Sequence, residues 1–370
     1  MTSRRSFLTQ AMSAAALAGG GSWAIAAPTE GDWCCPVLGD LHFDRLEHHD
    51  FVWLENDHSG DVSQVKNYSR LTRDVLPKLL TVVQQQIAAA SAPVPFVLQL
   101  GDLIEGLCGS PALANQQARE AIEFVRSAKF DRPLLMTKGN HDVTGPGAAE
   151  AYQRLLVPFM TDPALEAIAQ PAFAQRRGGW LVVFYDAYDK ASLDWFARLV
   201  AERKPERLLF VIHPPVVPYN ARSSWHIYSK PAQQAQRDRL LDLLGRHRAV
   251  VLCGHLHKYS FLRRTTKHGS FVQLALSSIA TDPEGKPKDE LAGLEAYSPE
   301  LVRLEPKHSP ATVDERRGLL AAERPFIEHF EYADTWGRAV LHFHDGKLTA
   351  DVHRGLSSPP WRTLDLTAHV

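Results

Sequence analysis

The chain has 370 residues, of which 45% are hydrophobic, 22% charged and 9% aromatic, which excludes a disordered chain and a small disulfide-stapled scaffold. Lysine plus arginine number 41 against 42 acids, so no excess of positive charge exists to hold nucleic acid. No apolar run reaches the roughly 20 residues that a membrane-spanning helix needs.

Residues 1–26 read as an address. Arg4 and Arg5 precede Phe7-Leu8, a weakly apolar stretch rich in Ala and Gly follows, and Ala24-Ile25-Ala26 supplies the small residues of a cleavage site. The arginine pair followed by Phe-Leu resembles a twin-arginine (Tat) export signal. That resemblance implies the Tat export machinery as a partner and a mature domain over 27–370. It also implies a periplasmic or secreted location, with no stable membrane insertion after processing. An uncleaved anchor or an unstructured tail is the other reading of these residues. Cys34, Cys35, Cys108 and Cys253 are too few and too irregular for a disulfide framework. They read as free thiols, with a bridge from Cys34 or Cys35 to Cys108 as the alternative.

Short apolar runs bounded by turn residues then recur along the chain. They predict strands at Pro36–Leu41, Phe96–Leu100, Leu134–Thr137, Trp180–Tyr185, Leu208–Ile212 and Ala249–Cys253. None alternates cleanly, as expected of strands buried on both faces. Helical periodicity falls between them at Val62–Ala90, Ala112–Ser127, Ala148–Ile168, Ser192–Glu202 and Pro231–Gly245, with Pro77 kinking or splitting the first. Alternating strands and helices predict an α/β fold with a largely parallel sheet. The tail differs. Tyr259–Thr265 and Ser270–Leu276 read as antiparallel strands. Ala339–His344 and Lys347–His353 flank Asp345-Gly346, a strong hairpin signal. These strands predict a second, antiparallel-rich sheet, with the C-terminal hairpin spanning 337–354. Residues 281–335, richer in Pro, Glu and Lys, read as an insertion or lid.

The chemistry lies where the strands end. Asp40-Leu41-His42, Gly101-Asp102, Gly139-Asn140-His141-Asp142, His213 and Gly254-His255-Leu256-His257 each lie at the end of a predicted strand. In open α/β sheets, functional groups collect at the carboxyl ends of strands. Five segments would thus deliver Asp40, His42, Asp102, Asn140, His213, His255 and His257 to one place. This mixed oxygen and nitrogen set suits Mn²⁺, Fe or Zn²⁺. Seven ligands are too many for one such ion. If one carboxylate bridges, they divide into two sets of four, around ions roughly 3.5–4 Å apart. Glycine before Asp102, Asn140 and His255 fits backbone that turns sharply at a crowded site. No phosphate-binding Walker loop, HExxH helix, dinucleotide glycine fingerprint or Gly-x-Ser-x-Gly elbow is present.

The ordered set of all five blocks, spanning residues 40–257, resembles the calcineurin-like metallophosphoesterase superfamily. The resemblance implies two mixed β-sheets packed as a sandwich and flanked by α-helices. It implies two divalent or trivalent metal ions: Asp40, His42 and His257 hold one, Asn140, His213 and His255 the other, and Asp102 bridges along with a hydroxide. It gives His141 no metal but a place facing the substrate, where it stabilises the transition state or protonates the leaving oxygen. An acid often stands three residues after the bridging Asp, paired with that His. Here it is Glu105, one methylene longer than the commoner Asp.

Function follows as an expectation: hydrolysis of a small organic phosphate ester, with a nucleotide or cyclic nucleotide favoured over a lipid head group, and no nucleic acid partner. A metal-binding scaffold on the same fold is the alternative. Between His213 and Gly254, Arg222, Trp225, His226 and Tyr228 are candidate substrate contacts, since aromatics beside Arg stack on a base and clamp a phosphate. Trp225 and Tyr228 equally suit a cap on the core. Asp44, Glu47, His48, His49 and Asp50 either line an entrance or form a solvated loop. Asp142 reads as a loop-holding acid.

Overall fold

The computed structural model describes residues 31–219, 226–279, 285–304 and 313–370. The twin-arginine segment, Arg222 and Trp225 lie outside them. In chain order the strands are β1 (Trp33–Leu38), β2 (Val97–Gln99), β3 (Leu134–Met136), β4 (Phe173–Arg177), β5 (Trp180–Phe184), β6 (Arg207–Val211) and β7 (Val250–Cys253), then β8 (Tyr259–Thr266), β9 (Gly269–Ala275), β10 (Glu290–Ala292), β11 (Ile327–Ala333), β12 (Gly337–His344), β13 (Lys347–Arg354) and β14 (Arg362–Asp365). They form two mixed sheets, β14-β13-β12-β1-β2-β3 and β10-β11-β8-β9-β7-β6-β5-β4.

The sheets face each other, and helices cover their outer faces. The alternation of β5 shows why both faces of the second sheet are buried. Val182 and Phe184 join the core shared with the first sheet, whereas Leu181 and Val183 join a core under the helices Ser192–Arg203 and Gln234–Arg246. β6 divides likewise, Leu209 and Val211 inward against Leu208 and Phe210 outward. Side chains alternate with period two, so a strand apolar on both faces has an apolar layer on each side. The helices Val62–Asp74, Leu76–Ala88 and Pro111–Ser127 cover the first sheet. The long predicted helix breaks at Val75, and Pro77 opens the second piece, where its missing N–H costs nothing.

The tail strands do not make a sheet of their own. β8, β9 and β11 extend the parallel strands of the second sheet, with β9 parallel to β7. The β12–β13 hairpin crosses to the first sheet, where β12 runs antiparallel to β1 from Trp33↔Phe343 to Leu38↔Arg338. Its turn residues Asp345 and Gly346 have φ of 47° and 76°, the left-handed pair that a tight primed turn requires. Trp33 stacks on Phe343 at 3.6 Å between ring centroids. Within 281–335, β11 is paired on both sides, and Tyr297, Leu301 and Leu320 enter the second core. The sequence hides β11 because a bulge between Ile327 and His329 shifts its register and breaks the period. The helix predicted from Ala148 ends at Phe159, with a π turn over Tyr152–Leu156.

Candidate metal centre

The five clusters meet at the carboxyl edge that the two sheets share. β1, β2 and β3 of the first sheet run into Asp40 and His42, Asp102, and Asn140 with His141; β6 and β7 of the second run into His213, and into His255 with His257. Hydrogen bonds lace the two edges together. Gly39 N donates to Ser278 Oγ at 2.9 Å, Thr137 Oγ1 to the Tyr185 carbonyl at 2.9 Å, and His213 Nδ1 to the Leu100 carbonyl at 2.8 Å.

The side chains form two linked groups. In the first, His42 Nε2 lies 3.3 Å from His257 Nε2, which is 3.7 Å from Asp40 Oδ1. In the second, His213 Nε2 lies 3.0 Å from Asp102 Oδ2, 3.2 Å from Asn140 Oδ1 and 3.2 Å from His255 Nδ1. Asp102 joins them: the same Oδ2 is 3.6 Å from His42 Nε2. Asp40, His42, Asp102 and His213 are buried, while Asn140, His255 and His257 are partly open. All seven predicted ligands thus converge.

These residues are of the kind that could hold metal ions. Asp40 Oδ2 is buried with no hydrogen-bond partner, an expensive state for a carboxylate oxygen that a metal would relieve. With Nδ1–H committed to Leu100, neutral His213 presents a lone pair at Nε2 toward the other donors. Electrostatics agree. Burial pushes Asp40 up to about 6 and pushes Asp102 up as well, but His213, His141 and His42 overcome this for Asp102 and hold it well below the usual carboxylate range. Burial alone would lower His213, yet Asp102 raises it to about 9. The centre therefore favours positive charge, carried by a proton or a metal ion.

The backbone is forced to make this meeting. His42, Asp102, His255 and His257 all have positive φ, between 46° and 71°. A left-handed non-glycine residue costs of order 1–3 kcal/mol and persists where the surroundings over-determine it. The three glycines do not all share one reason. Gly101 has φ of 91°, but Gly139 and Gly254 are there for space: an added Cβ would lie 2.1 Å from Asp102 Oδ1 and 2.8 Å from Asp40 Oδ2. Asp142 holds the loops, its carboxylate accepting from the amides of Gly139, Asp102 and Ile104 at 2.8, 2.9 and 3.2 Å.

His141 stands at the half-buried rim, where its amide donates to Asp102 Oδ1 at 2.8 Å. Its Nδ1 donates to the main-chain carbonyl of Glu105 at 2.7 Å, and the Glu105 carboxylate is 3.5 Å away. That carboxylate instead reaches His42 Nδ1 at 2.5 Å and accepts from Gln64 Nε2 at 3.1 Å. Burial pushes Glu105 up to about 8. Gln64 carries no signal in the sequence, being a lone Gln on a polar helix face.

The remaining candidates have the following surroundings. Tyr228 packs against the second core, its hydroxyl 2.7 Å from that of Tyr185, and His226 is buried. Asp44, His48 and His49 are no solvated loop: Asp44 is buried and bonded to His49 Nε2 at 2.7 Å, Ser69 Oγ at 2.6 Å and Gln117 Nε2 at 2.8 Å. Glu47 and Asp50 are exposed, and Asp50 caps the helix Phe51–Asp57. All four cysteines are buried free thiols.

Comparisons with known proteins agree with this fold. Among solved structures, the fold is similar to a purple acid phosphatase from yellow lupin (Lupinus luteus) seeds, with a TM-score of 0.52 and 11% identity over 91% of this chain and 54% of that one. The chain spans about half the length of that relative. A dimetal phosphatase from Danio rerio matches at 0.50 and 14%, over 92% and 99% of the two chains. GAP50, the anchor in the inner membrane complex of Plasmodium, matches at 0.51 and 11%, over 90% and 88%. Identities this low speak for the fold alone. No curated protein sequence matches significantly. The family model for calcineurin-like phosphoesterases matches residues 37–259. That segment is more than half of the chain and holds all five strand-end clusters, so the chain belongs to the calcineurin-like phosphoesterase family.

Proposed function

We propose that the protein is a metal-dependent hydrolase of a small organic phosphate ester, a monoester or diester such as a nucleotide or cyclic nucleotide. The observation that carries this is the Asp102 carboxylate oxygen set between two groups of inward-facing donors. Asp40, His42 and His257 would hold one ion; Asn140, His213 and His255 the other; Asp102 would bridge. Two such ions, of Mn, Fe or Zn, make water a nucleophile near neutral pH and neutralise phosphate oxygens. The chain supplies the rest. Its strand ends fix the donors before substrate arrives, so little reorganisation is left for the reaction. His141, held by the Glu105 carbonyl through Nδ1, keeps Nε2 for a proton that passes to the departing oxygen.

Metal-stripped protein reloaded with Mn²⁺ should hydrolyse bis(p-nitrophenyl) phosphate or p-nitrophenyl phosphate. His141→Ala should keep its metal and lose about 10²–10⁴-fold in turnover. Asp102→Ala should lose metal by elemental analysis. A metal-loaded protein inert toward nucleotides, sugar phosphates and phospholipid head groups would favour a non-catalytic scaffold. We further propose export through the Tat pathway to the periplasm or beyond, on the strength of Arg4-Arg5 and the Ala24-Ile25-Ala26 site. An Arg4→Lys, Arg5→Lys variant should stay in the cytoplasm; unchanged export would reject that route.

A further inference from the structure

We propose that Glu105 is a positioning residue for the metal-ligand histidine His42, and that its side chain does not act through His141. The inference rests on the metal-centre reading above. It turns on which atom of Glu105 serves which histidine. The main-chain carbonyl takes His141 Nδ1 at 2.7 Å, so the orientation of His141 needs no side chain at position 105. The carboxylate takes His42 Nδ1 at 2.5 Å and is 3.5 Å from His141 Nδ1.

The chemistry follows from the two ring nitrogens of His42. Its Nε2 faces the donors of the first group, 3.3 Å from His257 Nε2 and 3.6 Å from Asp102 Oδ2. For Nε2 to offer a lone pair there, the ring proton must sit on Nδ1. Glu105 Oε2 accepts it, which fixes the tautomer, holds the ring plane and raises the basicity of Nε2. The acid is itself held: Gln64 Nε2 donates to Oε1 at 3.1 Å, and both Glu105 and His42 are fully buried. Tyr68 stacks on the outer face of His42 at 4.4 Å between centroids, so the imidazole is clamped at its face and at its edge. The extra methylene of glutamate gives the reach past His141 that an aspartate would lack.

The test is metal binding, read separately from turnover. Chelator-stripped wild type, Glu105→Gln, Glu105→Asp and Glu105→Ala are titrated with Mn²⁺ in a calorimeter, and bound ions are counted by elemental analysis. Wild type should bind two ions. The variants should bind one of them about 10–100-fold more weakly and the other as before. Their turnover, lost at limiting Mn²⁺, should recover as Mn²⁺ is raised. Wild-type affinities at both sites, with turnover that no metal restores, would overturn the proposal and return the carboxylate to His141. Wild type that binds no metal would sink the metal-centre reading and this inference with it. If Glu105→Ala fails to fold, the isosteric Glu105→Gln carries the test.

Discussion

Gly139 sits where a methyl group would overlap Asp102 Oδ1, its carbon only 2.1 Å from that oxygen. Its φ is not in the left-handed region, so alanine is excluded by space and not by conformation. Gly139→Ala must therefore push Asp102 aside or shift the Asn140 loop. It is expected to keep most of its secondary structure by circular dichroism while losing metal and turnover together; full metal content with normal turnover would contradict the overlap. At this scale the residues that converge at the candidate centre were legible in the sequence, because Asp, Asn and His recur at the ends of apolar runs. The pairing of Glu105 with His42 was not. It depends on a contact across 63 positions of chain and on which way one carboxylate turns.

Between elements, the clearest polar link is Glu323. It closes the helix Val313–Glu323 and accepts from Arg237 on the helix Gln234–Arg246 and from Arg264 Nε on β8, the latter at 2.7 Å. All three are nearly fully buried. Burial alone would raise the Glu323 carboxyl, but Arg237 and Arg264 outweigh it and hold the group below its usual value. A depressed folded value stabilises the protein above the unfolded pKa of about 4.3, and that stability is lost as pH falls through the folded value. Glu323→Ala strands two buried guanidinium groups and should cost about 3–5 kcal/mol at pH 7 in urea unfolding. The gap between variant and wild type should narrow below about pH 4; a gap that stays constant to pH 3 would show that the charge is not what matters. Sequence could not find this link, since Glu323 follows a stretch rich in charge and its partners lie 86 and 59 residues away.

Across the whole molecule, the C-terminal hairpin completes the sheet that carries Asp40. β12 is the antiparallel neighbour of β1, and β1 runs directly into the Asp40 loop. The hairpin also buries Leu341, Phe343, Leu348 and Val352 in the shared core. At roughly 1.5–3 kcal/mol for each large side chain, their loss comes to about 6–12 kcal/mol, comparable to the 5–15 kcal/mol that holds a typical domain folded. Deletion of residues 337–370 should thus abolish the cooperative unfolding transition and metal binding alike. A truncated protein that melts cooperatively would show that the first sheet stands without its C-terminal half.

By itself the sequence determined the alternation of strands and helices, the hairpin turn at Asp345-Gly346, and the residues able to bind metal at each strand end. These are local properties: the period of apolar residues, turn chemistry, and the step from strand to loop. Only the tertiary structure decided that the tail strands divide between two sheets, because pairing β12 with β1 joins segments some 300 residues apart and no local pattern names a distant partner. It also decided the left-handed backbone at His42, Asp102, His255 and His257. Strain of that kind is paid by the packing of the whole, so no single stretch of chain can announce it.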